Sequence, residues 1–304
     1  MKVIETAGAP TKDSADMPEA IGVVGGGIMG SGIAEVAARA GCDVLVREVD
    51  EAAGAASRRR IAASLGKAVR AGKLTDEQRE AALGRLRFTA DYEDFADREL
   101  VVEAVVEDET EKSTVFEALG KVTRDTECVL ASNTSSIPIM KLAAVTDQPD
   151  RVIGMHFFNP VPVLPLVELV PSLLTSPATL HRAERFATER LGKHTILGKD
   201  RAGFVVNALL IPYLLAAIRM VESGFASADD VDTAMVAGCA HPMGPLALAD
   251  LIGLDTTAAV ATSMYAEFKE PLYAPPPLLL RMVEAGLLGR KTERGFHDYR
   301  PSPR

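Results

Sequence analysis

The sequence predicts an α/β fold, a doubly wound and mainly parallel sheet, followed by a smaller all-α domain. Three observations predict it. Short apolar runs alternate with helical stretches as far as Asp200. A glycine-rich loop follows the first apolar run. Strand patterns are absent after Asp200, where only helical periodicity continues.

The elements follow in chain order. Residues 1–18 are rich in Ala, Thr, Asp, Pro and Gly without periodicity, and read as a flexible leader. Ile21–Val24 is a short strand that stops at glycines, and Gly30–Ala40 is a helix closed by Gly41. Val44–Val46 is a second buried strand. Asp50 caps a long helix to about Ala71, and Thr75 with Gln78 forms a capping box for the next one. Strands are expected at Leu86–Thr89, Leu100–Val106, Cys128–Ser132, Val152–Phe157, Val167–Val170 and His194–Leu197. Helices fall between them, at Glu107 to about Lys121 and at Ser176–Leu191. Past the junction at Lys199–Gly203, helices are expected at Phe204–Val221, Ala228–Ala237, Leu254–Phe268 and Leu278–Ala285. The division is therefore 1–18 leader, 19–200 cofactor domain and 201–304 helical domain. The wide apolar faces of the last part (Leu209, Leu210, Tyr213, Leu214, Ala217) suit a homodimer as well as a core.

Composition narrows the class. The chain has 304 residues, 47% apolar and 25% charged, as globular proteins do. Lys and Arg number 33 against 42 Asp and Glu, a formal net charge of −9. A general nucleic-acid binder needs a broad basic surface, so none is expected. No apolar run is long enough to span a membrane, and Met1–Glu19 lacks the apolar core of a signal peptide. Cys42, Cys128 and Cys239 are too scattered for a disulfide framework or a metal knuckle. A cytoplasmic protein without a bound metal is expected.

The glycine loop carries the first chemistry. Gly25, Gly27 and Gly30 form GxGxxG between a strand and a helix, the Rossmann-like context the motif needs. Gly25 permits the turn, Gly27 lets backbone approach a pyrophosphate, and Gly30 lets helix and strand pack. The free N–H groups of the helix start, near Ile28 and Met29, face the phosphates. Glu48 ends the second strand and can accept both ribose hydroxyls while repelling a 2′-phosphate, so NAD is favoured. Arg47 keeps NADP open.

Further segments make a family resemblance. Gly25–Met29 with Gly30–Ala34 is one, and Ala131-Ser132-Asn133-Thr134-Ser135-Ser136 is another. Gly154-Met155-His156-Phe157-Phe158-Asn159-Pro160-Val161-Pro162, running on to Leu166-Val167-Glu168, is the most specific. Gly203–Asn207, Asp232–Met235 and Pro242–Pro245 follow in order. From Ile21 to Tyr299 the chain resembles the L-3-hydroxyacyl-CoA dehydrogenase family, and its layout resembles the stand-alone bacterial members.

The resemblance implies reversible, NAD-dependent oxidation of an (S)-3-hydroxyacyl-CoA, with 3-hydroxybutyryl-CoA and acetoacetyl-CoA the expected pair. His156 matches the family's base, and an imidazole suits proton transfer near neutrality. Glu168 matches its partner carboxylate, twelve positions on. Ser135 and Asn207 match the polar residues at the substrate oxygens, Ser135 also bordering the cofactor and the CoA thioester. Asn207 lies in the helical domain, so catalysis would draw on both domains. Glu107, Lys112, Asn159 and Lys291 match contacts to the nicotinamide half. A plain surface pairing of Lys112 with Asp108 is the competing reading. His181, His194, His241 and His297 carry no such pattern.

An acidic chain that binds CoA needs a local basic site. Arg60, Ser64, Lys67 and Arg70 fall on one face of the long helix. The resemblance places the CoA nucleotide at Ser64, with Lys67 or Arg70 as the basic partner. Arg58, Arg59 and Lys73 add charge nearby. Gly26 stands where the family commonly has alanine, a replacement expected to be harmless. Two other readings remain: a dehydrogenase of a free hydroxy acid or sugar acid, as in lambda-crystallin-like relatives, and an NAD(H)-binding protein without turnover.

Overall fold

A computed structural model describes residues 17–123 and 127–300. The leader, apart from its last two residues, lies outside the described residues. Contacts cluster into two compact units, residues 1–200 and 201–304.

The first unit is built on eight strands: β1 Ala20–Val24, β2 Asp43–Arg47, β3 Leu86–Thr89, β4 Leu100–Glu103, β5 Val129–Ser132, β6 Val152–Phe157, β7 Leu166–Pro171 and β8 His194–Leu197. They form one sheet in the order β3-β2-β1-β4-β5-β6-β7-β8, parallel except where β7 runs against β6. Its helices are α1 Ile28–Arg39, α2 Glu51–Arg70, α3 Asp76–Gly84, α4 Glu109–Val122, the short α5 Ile139–Ala143, and α6 Pro177–Arg185. Strand order reverses between β1 and β4. Right-handed crossovers then put α1 and α4 on opposite faces. Alternation serves both faces. Ile21, Val23, Val44, Val46, Leu100 and Val102 pack with Ile33, Ile61 and Phe186 in one core. Val24, Leu45, Val101 and Leu130, of opposite parity, are buried too.

Local sequence explains most boundaries. Asp50 accepts from the Ala53 amide at the start of α2. Thr75 and Gln78 exchange both bonds of a capping box at α3. β4 stops three residues short of the expected Val106, because Glu103 turns its carboxylate onto the Val105 amide (2.7 Å). Helix α5 was not expected. Its cap comes from Asp200, which accepts from the amides of Ile139 (2.6 Å) and Met140 (2.8 Å).

The second unit holds α7 Val206–Glu222, α8 Ala228–Thr233, α9 Pro245–Ile252, α10 Leu254–Phe268 and α11 Pro277–Glu284. Its core joins Ile211, Leu214, Leu215, Ile218, Leu246, Ala261, Met264 and Leu279. α9 was likewise unexpected. Asp232 caps it from a distance, accepting from Leu246 and Ala247 (both 2.8 Å). A Cβ at Gly244 would sit 2.3 Å from Asp232, so this glycine makes the cap possible. Buried Asp250 plays the same part for the C-terminal turn, accepting from Phe296, His297 and the Tyr299 hydroxyl. Those motifs of the helical part are thus structural. His297 Nε2 lies 2.8 Å from the same Asp232. Among the described residues no single helix is long and apolar enough to cross a membrane.

Candidate active site

The antiparallel hairpin β6–β7 sets the centre of the site. His156 and Glu168 are direct register partners across it. Facing residues of an antiparallel pair point to one side, about 4.5–5.5 Å apart at Cβ. The result is a 2.6 Å contact between His156 Nδ1 and Glu168 Oε2, with Glu168 fully buried. A carboxylate partner makes Nδ1 the protonated nitrogen and leaves the lone pair on Nε2. The Phe158 ring packs on the imidazole, with centroids 4.5 Å apart.

The intervening turn is held at several points. Lys193 donates to the carbonyls of Val161 (2.6 Å) and Leu164 (2.7 Å). Burial holds its ammonium below the ordinary lysine value. A Cβ at Gly32 would come within 2.9 Å of Val161. The glycine-loop helix α1 and the histidine hairpin therefore touch at this residue. Asn159 is exposed, just before Pro160.

The glycine loop ends β1 at the strand-order switch, the usual ligand position in open α/β sheets. Gly25 takes φ +90°, and a Cβ on Gly30 would fall 1.7 Å from the Gly25 carbonyl oxygen. Only glycine fits either place. Around Gly27 a Cβ would meet nothing within 4 Å, so this is the open approach. α1 has no side-chain cap at its N-terminus, leaving its first amides to a ligand. Ile28 is exposed and Met29 half-buried beside it. Glu48 Oε1 accepts from the Gly26 amide (2.9 Å), which fixes the carboxylate beside the loop.

Two expectations about this region change. Gly26 is more than a harmless replacement, because a Cβ there would lie 2.3 Å from Ser57 Oγ. Ser57 lies 3.2 Å from Ser31, whose hydroxyl bonds the Gly26 carbonyl at 2.6 Å. Arg60, expected on the CoA face, also supports the loop, donating to the Gly26 carbonyl at 2.5 Å. Ser64 is half-buried against α1, where it bonds Glu35. Burial raises the Glu35 carboxyl above its usual value, against the pull of Ser64 and Arg39. Lys67 and Arg70 remain exposed. Arg47 donates its Nε–H to the Ala90 carbonyl (3.0 Å) and stacks on the Tyr92 ring (3.9 Å).

Ser135 is half-buried in the loop after β5, and its amide and hydroxyl both donate to Glu107 Oε1 (2.8 and 3.2 Å). Burial would raise the Glu107 carboxyl, but the Lys112 charge and the donors Thr134 and Ser135 outweigh it and hold it low. Lys112 is 1% exposed and does not pair with Asp108 at the surface. It bridges Glu103 (2.7 Å) and Glu107 (3.3 Å). Glu103, Ser132 and Asn133 join this network and escaped sequence reasoning as site residues. The only hint was two carboxylates four positions apart at a strand end. Asn133 Oδ1 accepts from the Phe157 amide (2.9 Å), tying the loop to the residue after His156.

In the helical unit, Asn207 is half-buried in the first turn of α7. Lys291 pairs with Asp255 at 2.5 Å. Each is placed within its own unit.

Known proteins of the same design exist. The pattern described as "3-hydroxyacyl-CoA dehydrogenase, NAD binding domain" matches residues 20–201. The corresponding C-terminal domain matches residues 203–299. A 3-hydroxybutyryl-CoA dehydrogenase of Mycobacterium tuberculosis is 62% identical over 284 residues, 93% of this chain and 99% of that protein. The crystal structure of M. tuberculosis FadB2 superimposes with a TM-score of 0.93 at 62% identity, covering 93% of this chain and all of that one. The (S)-3-hydroxybutyryl-CoA dehydrogenase PaaH1 of Ralstonia eutropha gives 0.88 at 43% identity, with 93% and 100% covered. The nucleotide these matches imply is NAD, and the open approach at Gly27, the uncapped α1 amides and Glu48 fit it. With glycine loop, histidine–glutamate hairpin and helical unit in one order along 20–299, this chain belongs to the 3-hydroxyacyl-CoA dehydrogenase family.

Proposed function

We propose that the protein catalyses the reversible, NAD-dependent oxidation of (S)-3-hydroxybutyryl-CoA to acetoacetyl-CoA. The observation that carries the reading is the buried 2.6 Å His156–Glu168 pair, built into the same unit as the glycine loop. A binder without turnover needs no oriented proton acceptor.

His156 Nε2 takes the proton of the substrate 3-hydroxyl and returns it in the reductive direction. Glu168 holds the ring and stabilises the imidazolium, as the acid of a Ser-His-Asp triad does. Ser135 and Asn207 donate to the substrate oxygens. Bound NAD supplies the hydride acceptor. The α1 amides at Gly27–Gly30, with Ile28 and Met29, hold its pyrophosphate, and Glu48 its ribose. Glu107, Lys112, Asn159 and Lys291 serve the nicotinamide half, Lys112 acting through its carboxylates. Ser64, Lys67 and Arg70 hold the CoA nucleotide. Residues 19–200 then form the cofactor domain and 201–304 a helical substrate and dimerisation domain. Leu209 (75% exposed) and Phe225 (78%) on the helical unit support a homodimer. The charge of −9 supports an enzyme with no nucleic-acid partner.

Mixing protein, NADH and acetoacetyl-CoA should consume NADH. No loss of NADH absorbance at any pH from mildly acidic to mildly basic would sink the reading. Competition by free CoA separates it from a dehydrogenase of a free hydroxy acid, which CoA would not inhibit.

The cofactor assignment has its own test. Gly27→Ala adds a methyl where the protein has space, so the melting temperature should not move. NADH affinity should fall by about tenfold, about 1.4 kcal/mol, as read by fluorescence titration. Unchanged affinity would remove Gly27 from the pyrophosphate site.

A further inference from the structure

We infer that Glu103 is a positioning residue: a buried carboxylate, neutralised by Lys112, that sets the Ser132–Ser136 loop where Ser135 can serve the reaction. The inference rests on the dehydrogenase reading and adds a residue to it.

Glu103 ends β4 and is fully buried. Its Oε1 accepts from Lys112 Nζ and from the Val105 amide, both at 2.7 Å. Its Oε2 accepts from the Ser132 hydroxyl at 2.6 Å. Ser132 in turn accepts from the Thr134 amide (3.2 Å). One carboxylate thus joins the ends of neighbouring strands β4 and β5, beside the strand-order switch at β1 and β4. The Glu103 turn also backs onto the cofactor loop, since a Cβ at Gly25 would lie 2.8 Å from the Ala104 carbonyl oxygen. On the far side, Asn133 reaches Phe157, next to His156. Glycine loop, serine loop and histidine strand therefore meet through Glu103 and its neighbours.

Stability does not account for the arrangement. A buried ion pair repays its desolvation poorly, and apolar residues of equal volume often do as well. The pair does supply geometry. Lys112 is shared between Glu103 and Glu107. Were Glu103 neutral, the ammonium would be drawn to Glu107. That carboxylate would then be pulled from the Thr134, Ser135 and Ser136 donors it now collects.

The test compares Glu103→Gln, Ser132→Ala and the double variant of the full chain, with NADH and acetoacetyl-CoA as substrates. Each single change should lower kcat by up to about 10²-fold, the cost of a misplaced reacting group. The melting temperature of Ser132→Ala should stay near wild type, whereas Glu103→Gln removes one partner of a buried ion pair and should melt lower. The double variant should be no worse than Glu103→Gln alone, because both act through one link. Ser132→Thr, which keeps the hydroxyl, should restore turnover. Multiplicative losses, or no recovery of turnover in Ser132→Thr, would overturn the inference. If Glu103→Gln does not fold, Ser132→Ala with its Ser132→Thr rescue decides the question. If the wild type itself fails to turn over, the dehydrogenase reading falls and hydrogen exchange decides the loop claim. Faster exchange of the 133–136 amides in Ser132→Ala supports it, and unchanged exchange overturns it.

Discussion

Replacing His156 by Gln is expected to lower kcat by about 10²–10⁴-fold, the usual worth of a positioned general base. The reason is specific to Nε2. Glu168 occupies Nδ1 at 2.6 Å, so the other ring nitrogen must take the proton. A glutamine amide can still bond Glu168 and fill the volume, so the hairpin should keep its register. NADH binding should be unaffected, because the glycine loop is a separate constellation. Steady-state kinetics and a fluorescence titration on the same preparation measure both. Turnover within a few-fold of wild type would show that another group accepts the proton.

Glu168→Gln should cost nearly as much for a different reason. The carboxylate is fully buried and opposite His156 in the register. A glutamine that turns its N–H₂ toward Nδ1 selects the tautomer with hydrogen on Nε2, which cannot accept a proton. The wrong tautomer costs about 10⁴-fold in a Ser-His-Asp triad. The loss should fall on kcat, while the KM for NADH holds. Glu168→Asp keeps the charge but shortens the reach, so it should recover part of the rate. A Glu168→Gln enzyme as active as wild type would reduce Glu168 to a packing residue.

How much of this was legible in the sequence follows from how far apart the interacting residues lie. The eight strands showed as apolar runs, and α2 and α3 showed through Asp50, Thr75 and Gln78, which act on amides three residues away. The glycine loop showed because its tightest approach, Gly30 against the Gly25 carbonyl, lies within one turn of chain. α5 and α9 did not show. Their capping aspartates lie 61 and 14 positions away, at Asp200 and Asp232, and no local pattern announces such a cap. The helical-face reading of Arg60 with Ser64, Lys67 and Arg70 was sound as periodicity. It could not reveal that Arg60 turns to a carbonyl 34 positions earlier.

The sequence by itself carried the class of the fold and the glycine loop with the acid after it, which rest on spacing along one element or one turn, while His156 and Glu168 were named there only through the family resemblance. The tertiary structure alone decided that the sheet reverses direction at β7, which sets His156 against Glu168 across twelve positions. It also decided that Lys112 is buried between two carboxylates, and that Glu103 holds Ser132 from 29 positions away. The physical reason is common to these cases. A hydrogen bond between strand ends depends on which strands become neighbours, and sheet order is a property of the whole unit.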